Sequence, residues 1–205
     1  MKKILFSTLF LLCFIFVFSQ VTLINEENVV VLNNDILSKL PLRTFMNGFY
    51  SFDTKSDDEV KKVEIEGIAL KTLLDYLDYF DDEDLVYLVA KDGYFKKFPY
   101  KIFSQRTSLG IPYLSLKQNG EANLSLVFNQ KDEVVSNEDM YNALGEEFSH
   151  YYKGQLSAKG LQVKDIAWVI VNWDGDFDKL QNSLVVSKTE EIEEDVTQIA
   201  EEEFR

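Results

Sequence analysis

Apolar and polar residues alternate in several short runs along this chain, and the runs predict strands. Val21 to Ile24 and Val29 to Leu32 are β-branched stretches bounded by Asn and Glu. Leu42 to Phe49 reads as extended after Pro41. Val60 to Ile65 alternates as a half-buried strand does, and Gly67 is expected to break it. Leu85 to Ala90 is a continuous apolar run. The Asp92-Gly93 pair then predicts a tight turn into a return strand, Tyr94 to Phe98, stopped by Pro99. Pro112 to Leu116 and Leu124 to Phe128 flank Asn119-Gly120, a second hairpin signal. Ile166 to Trp173 is the most strand-like stretch and is expected at the centre of a sheet. Leu184 to Val186 adds a further short strand.

A different period marks the helices. Asn33-Asn34-Asp35 caps a short helix, Ile36 to Leu40. Leu70, Leu73, Leu74 and Leu77 repeat at i, i+3, i+4 and i+7, the spacing of an amphipathic helix. Asp81 to Asp84 closes it as a solvated turn. Ser136 and Asp139 open another helix in capping-box spacing. Met140, Leu144, Phe148 and Tyr151 form its apolar face, and Gly154 is its expected stop. Strands and helices in this order predict an α+β fold with mixed sheets and a few packed helices.

The two ends of the chain fall outside that pattern. Lys2-Lys3 is followed by an apolar run from Ile4 to Phe18, then Ser19-Gln20. These are the basic, apolar and small-residue parts of a secretory signal, with Val17 and Ser19 at the −3 and −1 positions. The run is short of the roughly 20 residues that span a bilayer. Residues 1–19 are therefore expected to be cleaved, giving a periplasmic or secreted protein with no membrane segment. Cleavage leaves about 186 of the 205 residues, enough for one self-supporting domain over 20–187. It also removes Cys13, the only cysteine. Residues 188–205 form an acidic helix or tail with eight acids between Glu190 and Arg205.

Charge excludes some partners. The formal charge is −14, and losing Lys2 and Lys3 takes it to about −16. Such a protein repels nucleic acid and anionic lipid. A small ligand or a protein is the expected partner.

Motifs for catalysis are sparse. His150 is the only histidine. Glu147-x-x-His150 has the spacing used in di-iron bundles, but those need two copies. No Gly-x-Ser-x-Gly elbow or glycine-rich phosphate loop accompanies it. Asp174, Asp176 and Asp178 are spaced like the first ligands of a calcium loop and are weak calcium candidates. Lys179 and Val185 occupy the positions where such a loop needs Gly and Glu.

The order of segments carries a resemblance. Asn34-Asp35-Ile36-Leu37-Ser38-Lys39-Leu40-Pro41 precedes an extended strand, and Val63-Glu64-Ile65-Glu66-Gly67-Ile68-Ala69-Leu70-Lys71-Thr72-Leu73-Leu74 follows. Next comes the Leu88-Val89-Ala90-Lys91-Asp92-Gly93-Tyr94 hairpin. Over residues 30 to 130 this resembles the molybdopterin-binding oxidoreductase domains of the sulfite-oxidase fold. The resemblance implies that fold, molybdopterin as cofactor and oxidoreductase activity. It also implies a cofactor cleft, with Met46, Asn47 and Tyr94 as its candidate residues here. The family places a cysteine on molybdenum in the stretch matching Arg43 to Tyr50. Met46 is the only sulfur there, and a neutral thioether does not replace a thiolate on a high-valent metal. The arginine that follows in the family is absent too. The expectation is a non-catalytic ligand- or partner-binding domain with no cofactor. The alternative is a molybdopterin-dependent oxidoreductase without a cysteine ligand.

Overall fold

The computed structural model describes residues 20–25, 28–50, 60–77, 80–149 and 156–178. The signal segment 1–19, the charged stretch Thr54 to Asp58, His150, Tyr151, Gly154, the strand expected at Leu184 to Val186 and the acidic tail lie outside them. The chain divides into a compact unit of Met1–Asn172 and a second unit of Trp173–Arg205.

In the first unit, β1 (Val21–Ile24) and β2 (Val29–Leu32) form a hairpin. A helical turn, α1 (Asn34–Leu37), follows. The Asn33 side chain accepts the Ile36 N–H at 3.0 Å, and this bond sets the start of the turn. Then come β3 (Arg43–Phe49), β4 (Val63–Ala69) and α2 (Leu70–Leu74). The Asp-Gly hairpin forms as expected between β5 (Leu85–Ala90) and β6 (Phe95–Pro99). After α3 (Lys101–Ser104), the Asn119-Gly120 turn joins β7 (Ile111–Gln118) to β8 (Glu121–Asn129). Asn119 and Gly120 take φ of 50° and 81°, the left-handed pair that such a turn requires. The short β9 (Val134–Val135), the helix α4 (Asn137–Phe148) and β10 (Ile166–Val171) complete the unit.

These strands make two mixed sheets, in the orders β2-β1-β10-β5-β6 and β8-β7-β4-β3-β9. Strand β10 lies centrally, parallel to β1 and antiparallel to β5, and all six of its residues are buried. One apolar cluster joins both sheets and the helices. It contains Leu23, Leu88, Phe98 and Val169 from the first sheet and Ile68, Leu114, Leu126 and Phe128 from the second. Leu70, Leu73, Leu74 and Leu77 enter the same cluster, which is what their helical spacing predicts. The fold is α+β with mixed sheets and few helices.

Three expectations need correction. Gly67 does not break its strand; β4 runs through it to Ala69. The register slips between Glu66 and Gly67, and a Cβ on Gly67 would stand 2.6 Å from the Leu114 carbonyl oxygen. Glycine is used here for close backbone approach at a bulge. The helices are also shorter than their periodicity suggests. α1 ends at Leu37 and α2 at Leu74, each followed by a turn. Finally, α4 ends at Phe148 and contains Gly145 at φ 72° and ψ −176°, outside helical geometry. The Asp81 to Asp84 turn forms, but it does more than face water. Asp82 accepts from the Ser104 hydroxyl at 3.0 Å and the Gln105 amide at 2.8 Å, which holds α3 against it.

The capping box at α4 is complete. The Ser136 hydroxyl accepts the Asp139 N–H at 3.1 Å, and the Asp139 carboxylate accepts the Ser136 N–H at 3.0 Å. Ser136→Ala leaves the Asp139 N–H without its hydroxyl acceptor and is expected to cost about 1 kcal/mol. Urea unfolding should show a lower midpoint with an unchanged slope. An unshifted midpoint would mean that water replaces the cap at no cost.

Candidate functional site

Adjacent strand residues face opposite sides of a sheet, and this separates two of the candidates. Asn47 lies on the side of β3 shared with Phe45, whose ring packs at a tilt against Tyr113 with a centroid distance of 4.9 Å. Val63, Ile65 and Val127 belong to the same apolar group. Met46 faces the other way, opposite Glu64, and is 37% exposed. Asn47 is buried, and its side-chain amide donates to the Phe128 carbonyl at 2.7 Å, linking β3 to the end of β8.

Asn47 lines a cavity of about 190 Å³. Its apolar floor is Val63, Ile65 and Val127, and its polar walls include Lys61, Gln118, Ser125, Gln162 and Lys164. The last two arrive on the extended segment that follows a short helical turn, Lys159–Leu161. This segment lies along the free edge of β8. Ser125 and Lys164 form an antiparallel bridge, and the Leu126 N–H donates to the Val163 carbonyl at 2.9 Å. Leu161 and Val163 point into the core, so Gln162 and Lys164 turn outward.

Tyr94 occupies the hairpin tip of the other sheet. Its N–H donates to the Asp92 carboxylate at 2.9 Å, and Gly93 takes φ 88° to close the turn. Partial burial raises the Tyr94 hydroxyl above its ordinary value, so it stays protonated at neutral pH. Tyr94 lines a wider space of about 600 Å³ with Lys91, Asp92, Asp165, Gln162 and Lys164. Gln162 and Lys164 therefore form a wall common to the Asn47 cavity and the Tyr94 space. The structure brings Asn47 and Tyr94 to adjoining cavities and leaves Met46 out of both.

Sequence reasoning missed Lys61, Gln118, Gln162 and Lys164. One signal was readable: Leu161-Gln162-Val163-Lys164 alternates apolar and polar, which is strand patterning.

At the position where the sequence resemblance would put a metal ligand, the described residues offer no thiolate. The stretch that the resemblance sets against a cysteine segment is strand β3, and its sulfur is the Met46 thioether, on the face opposite Asn47. Among the described residues no group of three or more His, Cys, Asp or Glu side chains could hold a metal ion. In the second unit the Asp174 carboxylate accepts the Asp176 N–H at 3.0 Å, a local turn. Among the described residues no helix is long and apolar enough to cross a membrane.

No family model matches this sequence, and no curated protein matches it. Among solved structures, the chain is similar to the sulfane dehydrogenase SoxCD from Paracoccus pantotrophus, at 13% identity and a TM-score of 0.42. The match covers 74% of this chain and 37% of that one, so this chain spans little more than a third of its length.

Proposed function

We propose that this chain is an exported, non-catalytic domain that binds a small ligand in the paired cavities between Asn47 and Tyr94. One observation carries the reading. The cavity walls offer lysine and amide groups around an apolar floor, and among the described residues its lining contains no thiol, imidazole or carboxylate. That set can bind and orient a molecule, and its one hydroxyl, Ser125, donates to the Asn123 side chain rather than to a base. The resemblance to molybdopterin-binding domains supports a ligand cleft in this region, and the missing cysteine argues against the metal chemistry.

Expression of the whole chain in a bacterial host with its own export signal tests the proposal. The exported protein should begin at Gln20 by intact mass and contain neither molybdenum nor pterin after purification. One molybdenum per chain, with turnover of an artificial electron acceptor, would replace this reading with a molybdopterin-dependent oxidoreductase.

A further inference from the structure

The charge of the Asn47 cavity runs against the charge of the chain. Acidic residues outnumber basic ones by 35 to 21, yet among the described residues this cavity is lined by Lys61 and Lys164 and by no acid. Lysines elsewhere on the second sheet and on α2 are paired: Lys62 with Glu133, Lys117 with Glu66 and Lys71 with Asp75. The side chains of Lys61 and Lys164 make no ion pair or hydrogen bond among the described residues, and neither do the amides of Gln118 and Gln162. Other polar groups on the wall already have partners. Asn47 donates to Phe128, and the Ser125 hydroxyl donates to the Asn123 side chain. What faces a ligand is therefore two ammonium groups and two amides, a surplus of hydrogen-bond donors.

We propose that this cavity takes the oxyanion head of a small organic acid, with the body of the molecule extending past Gln162 and Lys164 toward Tyr94. This rests on the ligand-binding reading above and names the ligand class. The size of the cavity supports it. About 190 Å³ holds a carboxylate, sulfate or phosphate group with a few atoms behind it, and a longer molecule must continue into the adjoining space. That space has the half-exposed Tyr94 ring on its wall, and its acids, Asp92 and Asp165, are balanced by Lys91 and Lys164. The head is therefore drawn to the smaller cavity, where no carboxylate of the described residues opposes it. A ring or short chain then lies against the tyrosine.

Titration calorimetry on the exported chain tests this with four probes: phenyl phosphate, benzoate, inorganic phosphate and the uncharged benzyl alcohol. Phenyl phosphate or benzoate should bind at low salt, and the better of the two identifies the head group. Lys164→Gln and Lys61→Gln should each weaken that binding about tenfold, as loss of a charged hydrogen bond does. Raising the salt should weaken it further, because both lysines are exposed. Tyr94→Ala should weaken phenyl phosphate and leave inorganic phosphate unchanged. Unaltered unfolding midpoints will show that the variants fold. Failure of every anionic probe to bind overturns the proposal, as does binding that neither lysine substitution weakens. Benzyl alcohol bound as tightly as the anions overturns the anionic assignment and leaves a ligand-binding cleft. One molybdenum per chain overturns the ligand-binding reading itself.

Discussion

Gly110→Ala is expected to be among the most damaging single substitutions in this protein, at roughly 3 kcal/mol or more. Gly110 closes the turn that begins at Thr107; its N–H donates to the Thr107 carbonyl at 3.0 Å. Two penalties act together there. Its φ is +84°, a region where a side chain costs about 1–2 kcal/mol. A Cβ would also collide with the backbone carbonyl of Asn129. That carbonyl cannot retreat easily, because Asn129 pairs with Ile111 at the end of the β7–β8 ladder. The turn is fixed from outside as well. The Ser108 hydroxyl donates to the Asp139 carbonyl at 2.8 Å, and Gln130 donates to the Ser108 carbonyl at 2.9 Å. Gly120→Ala separates the two penalties. Gly120 has nearly the same φ, +81°, with nothing within 4 Å of its would-be Cβ. It should lose only the conformational part, about 1 kcal/mol. Denaturant unfolding of the two variants side by side decides the matter; equal losses would show that the Asn129 carbonyl yields freely.

Most of the strands were legible because each buries one face, or both. Alternation in β4 and the continuous apolar runs of β5 and β10 follow directly from where those strands sit. The β5–β6 and β7–β8 hairpins were legible because glycine at positive φ leaves a sequence mark. Gly67 misled for a related reason. A glycine inside a strand pattern looks like an ending, and only the neighbouring strand shows that it serves close approach to Leu114. The helix α3 left no period to read: four residues are about one turn, and its anchor is Asp82, far back along the chain.

The candidate site was legible in part. Asn47 and Tyr94 were singled out because the segment order pointed to a cleft near them. Lys61, Gln118, Gln162 and Lys164 were not, because lysine and glutamine are ordinary surface residues and these four come from separate stretches. Bringing them together requires knowing that the Gln162 to Lys164 segment lies along β8. Met46 lies outside both cavities for a simpler reason. It stands next to Asn47 in sequence, and in a strand that puts it on the opposite face.

Phe128→Ala is the second expected large effect, about 3–5 kcal/mol of stability. Phe128 is fully buried in the main apolar cluster, and its ring does not line the Asn47 cavity. Truncation removes most of a ring from a close-packed interior and leaves a void that a strand held on both sides cannot collapse to fill. β8 is held by β7 on one side and by the Gln162 to Lys164 segment on the other. A typical domain is stable by about 5–15 kcal/mol, so the variant keeps a fraction of that margin. The effect should also reach the site. The Phe128 carbonyl accepts the Asn47 amide, so any shift of this residue moves the link between β3 and β8 beside the cavity. Calorimetry on the variant below its unfolding temperature should therefore show weaker binding of the anionic probe, although Phe128 itself does not line the cavity. Wild-type affinity in a protein destabilised by several kcal/mol would mean that the Asn47 link holds the cavity without help from the core. A stability loss under about 1 kcal/mol would show instead that the interior repacks around the missing ring.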